Sequence, residues 1–173
     1  MQPVPKPIPV DDPARRCCII GEIHADALQV YVREAVLEQI LDYSERDLSR
    51  ELGGFLIGGY HHDRQPYVEV REFVTAVDVR SRSASLTFTH DTWAAMNRDV
   101  ARRFPAEQIV GWHHTHPKLR VFLSGYDLFI HRHFFHEPWQ IAMVVDPVAQ
   151  EFGFFQWRGR DVVDCGFICV RDV

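Results

Sequence analysis

The chain has 173 residues, a length that suits one domain able to bury a core without disulfides or a structural metal. Its 19 basic and 24 acidic residues give a net charge of −5, which provides no basic surface for nucleic acid or an anionic membrane. No apolar run approaches the roughly 18 residues of a spanning helix, and the first residues lack the apolar region of a secretory signal. We therefore expect a cytoplasmic protein that binds neither nucleic acid nor membrane.

The first third of the chain begins with a proline-rich stretch. Five prolines stand within residues 1–15, which predicts an extended tail that buries little surface, ahead of a single domain at residues 16–173. The segments CCIIGEI, LQVYV, ELGGFLIGGY and PYVEVREFVTAV predict strands, and residues 33–46 repeat apolar side chains at helical spacing. The glycines of ELGGFLIGGY indicate a buried strand that neighbouring backbone approaches closely.

The rest of the chain predicts further strands around two helices. A strand at residues 85–89 precedes a helix at residues 91–104, capped by Asp91. A strand at residues 108–117 follows, and Ser124 opens a short helix. The segments WQIAMVV, FGFFQW and CGFICV predict the last strands. This order of elements predicts a mixed α/β sandwich rather than an alternating array of parallel βαβ units.

The four cysteines predict no disulfide framework. Cys17 and Cys18 are adjacent, whereas Cys165 and Cys169 lie in one strand-like segment. Four residues of a strand span roughly 13 Å, too far for one disulfide or one metal ion. We expect four reduced, partly buried thiols.

The most informative stretch surrounds two histidines at the end of a predicted strand. His114 and His116 stand two residues apart, so both imidazoles point to the same side of the strand. Asp127 returns towards them through the loop at residues 117–123 and the start of the next helix. Two imidazoles and one carboxylate can fill three corners of a tetrahedral zinc site, and a catalytic site keeps the fourth for water.

Each part of this pattern also has a simpler interpretation. Two histidines at this spacing are ordinarily one buried and one exposed side chain. Ser124 followed by Asp127 three residues later is a helix capping box. The combination of the two patterns is what favours a metal site.

The combined pattern resembles the motif of the JAMM (MPN+) zinc peptidases. His114-x-His116, seven residues, then Ser124-x-x-Asp127 matches that motif at every defined position, and GWHHTHP is similar to its flanking sequence, with His113 in place of an aromatic residue. The segment ELGGFLIG resembles the strand that opens with the family's catalytic glutamate, here Glu51. The resemblance covers roughly residues 27–170.

The resemblance implies a fold, a cofactor and a reaction. The fold would be the cytidine-deaminase-like α/β sandwich, a mixed sheet flanked by helices. One Zn²⁺ would be held by His114, His116 and Asp127. Glu51 would be the general base, and its place before a buried strand favours a pKa raised by desolvation. Ser124 would donate a hydrogen bond to the oxyanion.

The implied substrate is an amide that joins the C-terminal glycine of a ubiquitin-like modifier to a lysine or a C-terminal extension. The segments at residues 78–84 and 134–139 are too short for the two insertions of the selective eukaryotic members, which implies a minimal, prokaryotic-type enzyme. A hydrolase acting on a sulfur-carrier protein or a small-molecule amide is the alternative. A non-catalytic scaffold is the second, and a homodimer is left open.

Other residues near the motif receive no catalytic role. Trp112 is expected to pack beneath the site, while His113 and Thr115 point to the opposite side of the strand. His131, His133 and His136 are interpreted as a solvated helix end rather than a second metal site. The signatures of zinc deaminases and of phosphate-binding glycine loops are missing from the sequence.

Overall fold

The computed structural model describes residues 1–76 and 89–173. These residues form one ten-stranded mixed sheet and three α-helices. The strands are β1 (Val4–Pro5), β2 (Arg15–Ile20), β3 (Gln29–Arg33), β4 (Gly53–His62), β5 (Pro66–Thr75), β6 (Gln108–Thr115), β7 (Ile141–Asp146), β8 (Glu151–Arg158), β9 (Asp161–Cys165) and β10 (Phe167–Asp172). The helices are α1 (Glu34–Ser44), α2 (His90–Arg103) and α3 (Gly125–Phe134).

The sheet mixes parallel and antiparallel pairs in the order β2-β10-β3-β5-β4-β6-β7-β8-β9, with β1 added to β4. Strands β3 and β5, β3 and β10, and β6 and β7 are parallel neighbours. This arrangement confirms the predicted mixed α/β class. None of the helices in the described ranges is both long and apolar enough to cross a membrane.

A single glycine makes the sheet curl back on itself. β9 lies at one edge of the sheet and β10 lies next to the other edge, yet only Gly166 separates them in the chain. The Gly166 N–H donates to the Glu22 carbonyl at 2.8 Å, and a Cβ on Gly166 would lie 2.7 Å from that oxygen. The segment CGFICV, predicted as one strand, instead contains the end of β9, this corner and the start of β10.

Two large apolar clusters pack on the sheet. Helix α1 presents Val36, Leu37 and Ile40 to a cluster drawn from most of the strands. Helices α2 and α3 contribute Met96 and Ile130 to the second cluster, together with residues of the strands that carry the predicted motif. Helix α3 and β6 therefore share one apolar cluster, which helps to bring the two halves of the motif together.

The N-terminal segment packs on the domain, contrary to the expectation that it buries little surface. Val4 pairs with His61 of β4, and the Tyr67 hydroxyl donates to the carbonyls of Lys6 and Pro7 at 3.2 and 3.0 Å. The Ile8 side chain is 6 % exposed. It belongs to a third apolar cluster, to which none of the three helices contributes a residue. Within the described residues, the segment thus covers sheet surface to which no helix contributes an apolar side chain.

Some boundaries also differ from the prediction. Helix α2 is capped by Thr89, whose hydroxyl accepts the Thr92 N–H at 3.1 Å, and not by Asp91. The strand predicted at residues 85–89 lies, apart from Thr89, outside the described residues, as does the segment 78–84. The four cysteines are free thiols, and Cys18 lies opposite Cys169 in the ladder of β2 and β10.

Candidate metal centre

Strand β6 presents the two motif histidines at its end. His114 and His116 are 3 % and 2 % exposed, and their Nε2 atoms lie 3.0 Å apart. The strand lies between β4 and β7, and its pairing continues as the His116 N–H donates to the Val145 carbonyl at 2.8 Å. Backbone pairing on both sides therefore fixes where the two imidazoles point.

Helix α3 brings the carboxylate of Asp127 to the same point. Asp127 Oδ2 lies 3.2 Å from Nε2 of His114 and 3.2 Å from Nε2 of His116. Three corners of a tetrahedron with bonds of roughly 2.0–2.2 Å to its centre stand about 3.3 Å apart. The triangle of donor atoms, two imidazoles and one carboxylate, thus has the size and the chemistry of three zinc ligands, and these residues form a possible metal-binding group.

The charge of Asp127 suits this role. Burial alone would raise the pKa of Asp127, but the contacts with His114 and His116 and the backbone N–H of Ser124 outweigh burial and hold its pKa well below the ordinary value. The carboxylate therefore stays ionised, the form that binds a cation. One negative charge faces two imidazoles in a nearly enclosed site, which favours a divalent cation there.

Ser124 is the N-cap of α3, as the sequence indicates. Its Oγ accepts the Asp127 N–H at 3.1 Å, and its own N–H donates to Asp127 Oδ2 at 2.7 Å, which completes the capping box. Capping uses the oxygen of the hydroxyl as an acceptor and leaves its proton free to be donated. The cap and a role beside the metal are therefore compatible in one residue.

Glu51 lies at the open side of the centre, just before β4. Its Oε1 is 3.9 Å from Nε2 of His116. Its side chain is 55 % exposed, so the protein does not supply the desolvation that the sequence analysis expected. The neighbouring residue is firmly held: Leu52 N–H donates to the Thr115 hydroxyl at 2.8 Å, and Thr115 N–H donates to the Leu52 carbonyl at 2.9 Å.

Thr115 thus positions the segment that carries Glu51, a role the sequence analysis did not assign. His113 lies on the same side as Thr115, as predicted, and is 1 % exposed. Burial lowers the pKa of His113 to about 3, and Ser44 Oγ lies 2.9 Å from its Nε2. Neither residue faces the metal ligands.

Asp146 is a second residue that the sequence analysis missed. It is fully buried, and its carboxylate accepts the backbone N–H groups of Lys118 and Arg120 at 3.0 and 2.9 Å. Burial opposes its charge, but four backbone N–H donors outweigh it and lower the pKa of Asp146 to about 2. Lys118 and Arg120 both have positive φ, so the loop between His116 and Ser124 is held in a strained shape.

The interpretation of His131 as part of a solvated helix end is wrong. His133 and His136 are exposed, but His131 is 0 % exposed, and its Nδ1 accepts the Trp112 indole N–H at 3.0 Å. The helix end is amphipathic, and its inner side carries His131 into the second apolar cluster. The periodicity of Ile130 and Phe134 could have shown that a neighbouring position of α3 is buried.

Comparisons with known proteins identify the family of the chain. The family model of the JAB1/Mov34/MPN/PAD-1 ubiquitin protease matches residues 25–137. The chain belongs to this family. The matched range spans the positions of Glu51, His114, His116, Ser124 and Asp127.

Curated relatives are similar to the chain over most of its length. It is 26 % identical over 137 residues to the 26S proteasome regulatory subunit RPN11 of Eremothecium gossypii, covering 78 % of this chain and 41 % of that protein. It is 27 % identical over 140 residues to the 26S proteasome non-ATPase regulatory subunit 14 of Drosophila melanogaster, covering 80 % and 42 %. It is 26 % identical over 137 residues to the ubiquitin carboxyl-terminal hydrolase RPN11 of Saccharomyces cerevisiae, covering 78 % and 42 %. The chain thus spans less than half the length of these relatives.

A solved structure shares the fold. The solution structure of protein DSY2949 from Desulfitobacterium hafniense superposes with a TM-score of 0.58 at 16 % identity, covering 82 % of this chain and 92 % of that one. At this identity the likeness concerns the fold alone.

Proposed function

We propose that this protein is a zinc-dependent isopeptidase that cleaves the amide after the C-terminal glycine of a ubiquitin-like modifier. The observation that carries the proposal is the triangle of His114, His116 and Asp127, with edges of 3.0–3.2 Å and Glu51 at 3.9 Å from one corner. Membership in the family and similarity to a ubiquitin carboxyl-terminal hydrolase support the same reaction.

Each residue of the centre has one task in this reaction. The three ligands hold zinc, which supplies Lewis-acid polarisation of an amide carbonyl and acidifies water. Glu51 takes a proton from the attacking water and returns it to the leaving amine. Ser124 donates its hydroxyl proton to the oxygen that becomes negative. The exposure of Glu51 leaves access for a protein substrate on this side.

The approach of the substrate follows from the surroundings of β6. Both edges of β6 are already paired, with β4 and β7, so a modifier tail cannot add to this strand itself. The Phe122 ring lies 4.8 Å from the His116 ring and borders a cleft of about 510 Å³. We propose that the tail of the modifier passes beside Phe122. The closeness of the Phe122 and His116 rings would then leave room only for glycine before the scissile bond.

The test is cleavage of ubiquitin that carries a fluorogenic amide on its C-terminal glycine. Wild-type protein loaded with zinc should release the fluorophore. Glu51→Gln should keep zinc and fold while losing at least about 10²-fold in kcat, the low end for removing a positioned acid–base group. Glu38→Gln is the matched control, because that exposed glutamate of α1 lies outside the centre and does not line the cleft beside Phe122.

Three outcomes would count against the proposal. Activity of Glu51→Gln within a few-fold of wild type would mean that another group is the base. A substrate with valine in place of the terminal glycine, cleaved equally well, would remove the requirement for glycine. Cleavage of a small acyl-lysine amide but not of the ubiquitin derivative would favour the small-molecule alternative.

A further inference from the structure

The ring of His114 is held in an unusual way for a metal ligand. A ligating histidine ordinarily donates its second ring N–H to a carboxylate, a carbonyl or water, and this bond sets the orientation of the ring. In His114 the Nε2 atom faces the other ligands, and Nδ1 is buried. No group of the described residues hydrogen-bonds to that Nδ1. Among the described residues, the orientation of the His114 ring therefore rests on its packing contacts.

Trp112 supplies that support by stacking. The rings of Trp112 and His114 are nearly parallel, with an interplanar angle of 11° and centroids 4.5 Å apart. Trp112 is 3 % exposed, and Phe135 stacks at 5.7 Å from its ring. A rotation of the His114 ring out of the ligand plane would collide with the indole. The orientation of the ligand thus depends on the orientation of Trp112.

His131 in turn holds Trp112 by the only polar atom of the indole. The Trp112 N–H donates to His131 Nδ1 at 3.0 Å, so the proton of the neutral imidazole is on Nε2. Burial lowers the pKa of His131 to about 4, which keeps Nδ1 an acceptor at neutral pH. The chain of contacts runs from α3 through the indole to the ligand on β6.

We infer that His131 is a positioning residue of the metal centre, which fixes the ring of the zinc ligand His114 through Trp112. The inference rests on the proposed zinc site, but it concerns metal affinity and does not depend on the substrate. Helix α3 then supports the centre twice, with Asp127 as a ligand in its first turn and His131 as a support one turn later.

The test measures zinc affinity by competition with a chromophoric chelator. His131→Leu should weaken zinc binding roughly 10- to 100-fold, the usual effect of losing a group that orients a ligand. His131→Gln should restore most of the affinity, because its amide oxygen can accept the indole N–H. His133→Leu, an exposed histidine two residues along α3, should bind zinc like wild type.

Trp112→Phe separates the effect of the hydrogen bond to His131 from that of ring packing. Phenylalanine can stack on His114 but has no N–H to donate to His131. Trp112→Phe should weaken zinc binding by itself, and adding His131→Leu should weaken it little further, because the bond between the two residues is already lost. The Co²⁺ absorption spectrum of His131→Leu should also change, since it reports ligand geometry.

Wild-type zinc affinity in folded His131→Leu would overturn the inference. Equal losses of affinity in His131→Leu and His131→Gln would overturn it too, as would full additivity of Trp112→Phe and His131→Leu. Loss of ubiquitin cleavage alone, with zinc affinity as expected, would count against the proposed function and not against this inference.

Discussion

Two buried carboxylates of this protein have opposite surroundings. Asp127 faces two imidazoles, and no lysine or arginine forms an ion pair with it among the described residues. Glu69 on β5 is also fully buried, but four cationic side chains surround it: Lys6, Arg15, Arg33 and Arg71. Burial alone would raise the pKa of Glu69, yet these cations outweigh it and lower the pKa. The protein neutralises one carboxylate with its own cationic side chains and places the other beside two imidazoles, with which it forms a group that can bind a cation.

The difference indicates a structural role for the cluster around Glu69 and a functional role for the group around Asp127. At Glu69 the nearest cations come from the N-terminal segment and from β5 itself, with Arg71 at 2.8 Å, so the cluster ties the segment to the sheet. At Asp127 the partners are two imidazoles, a type of side chain that can bind metal, and the exposed Glu51 lies 3.9 Å from one of them. Changes at the first site should therefore affect stability, whereas changes at the second should affect metal binding and catalysis.

The largest stability effect is expected at Glu69. Glu69→Leu leaves several cationic side chains without their buried partner, which should lower the free energy of unfolding by about 3–5 kcal/mol. Chemical denaturation of the zinc-loaded protein measures this change. The exposed pair of Arg171 and Glu34 provides the control, and Glu34→Gln should leave stability nearly unchanged. An equally small effect for both variants would show that the cluster around Glu69 is not structural.

Removing the N-terminal segment should have the next largest effect. Deletion of residues 1–13 exposes the apolar surface under Ile8 and removes Lys6 from Glu69. A loss of roughly 3 kcal/mol should lower Tm by roughly 6–12 °C. Ile8→Ala should account for much of this change, while deletion of the exposed residues 1–2 should account for little. An unchanged Tm after deletion of residues 1–13 would mean that the segment is dispensable.

A smaller effect is expected where Thr115 holds the segment of Glu51. Thr115→Val keeps the shape of the side chain but removes the hydroxyl that accepts the Leu52 N–H. If the lost hydrogen bond raises the activation free energy by about 1 kcal/mol, kcat should fall about fivefold. Zinc content should not change. A loss of zinc in Thr115→Val would show that this residue supports the ligands rather than Glu51.

The grouping of His114, His116 and Asp127 could be predicted from the sequence because local geometry sets where each side chain stands. His114 and His116 stand two residues apart on a strand, so their side chains point to the same side of the sheet. The cap at Ser124 fixes where Asp127 stands at the start of α3. The corner at Gly166 and the docking of Ile8 could not be predicted in this way. Both depend on the order of strands in the sheet, which no local pattern encodes. The burial of His131 could have been inferred from its apolar neighbours Ile130 and Phe134, but its hydrogen bond with Trp112 depends on how α3 packs on the sheet and could not.

Zinc titration of the metal-free protein tests the central claim most directly. Wild-type protein should bind one Zn²⁺ per chain, and Glu69→Leu, measured under conditions where it is folded, should bind one as well. His116→Ala should remain folded but should not bind zinc with wild-type affinity, because two protein ligands cannot hold a catalytic zinc site. Stoichiometric zinc retained by His116→Ala, or no zinc bound by the wild type, would contradict the assignment of His114, His116 and Asp127 as the metal centre.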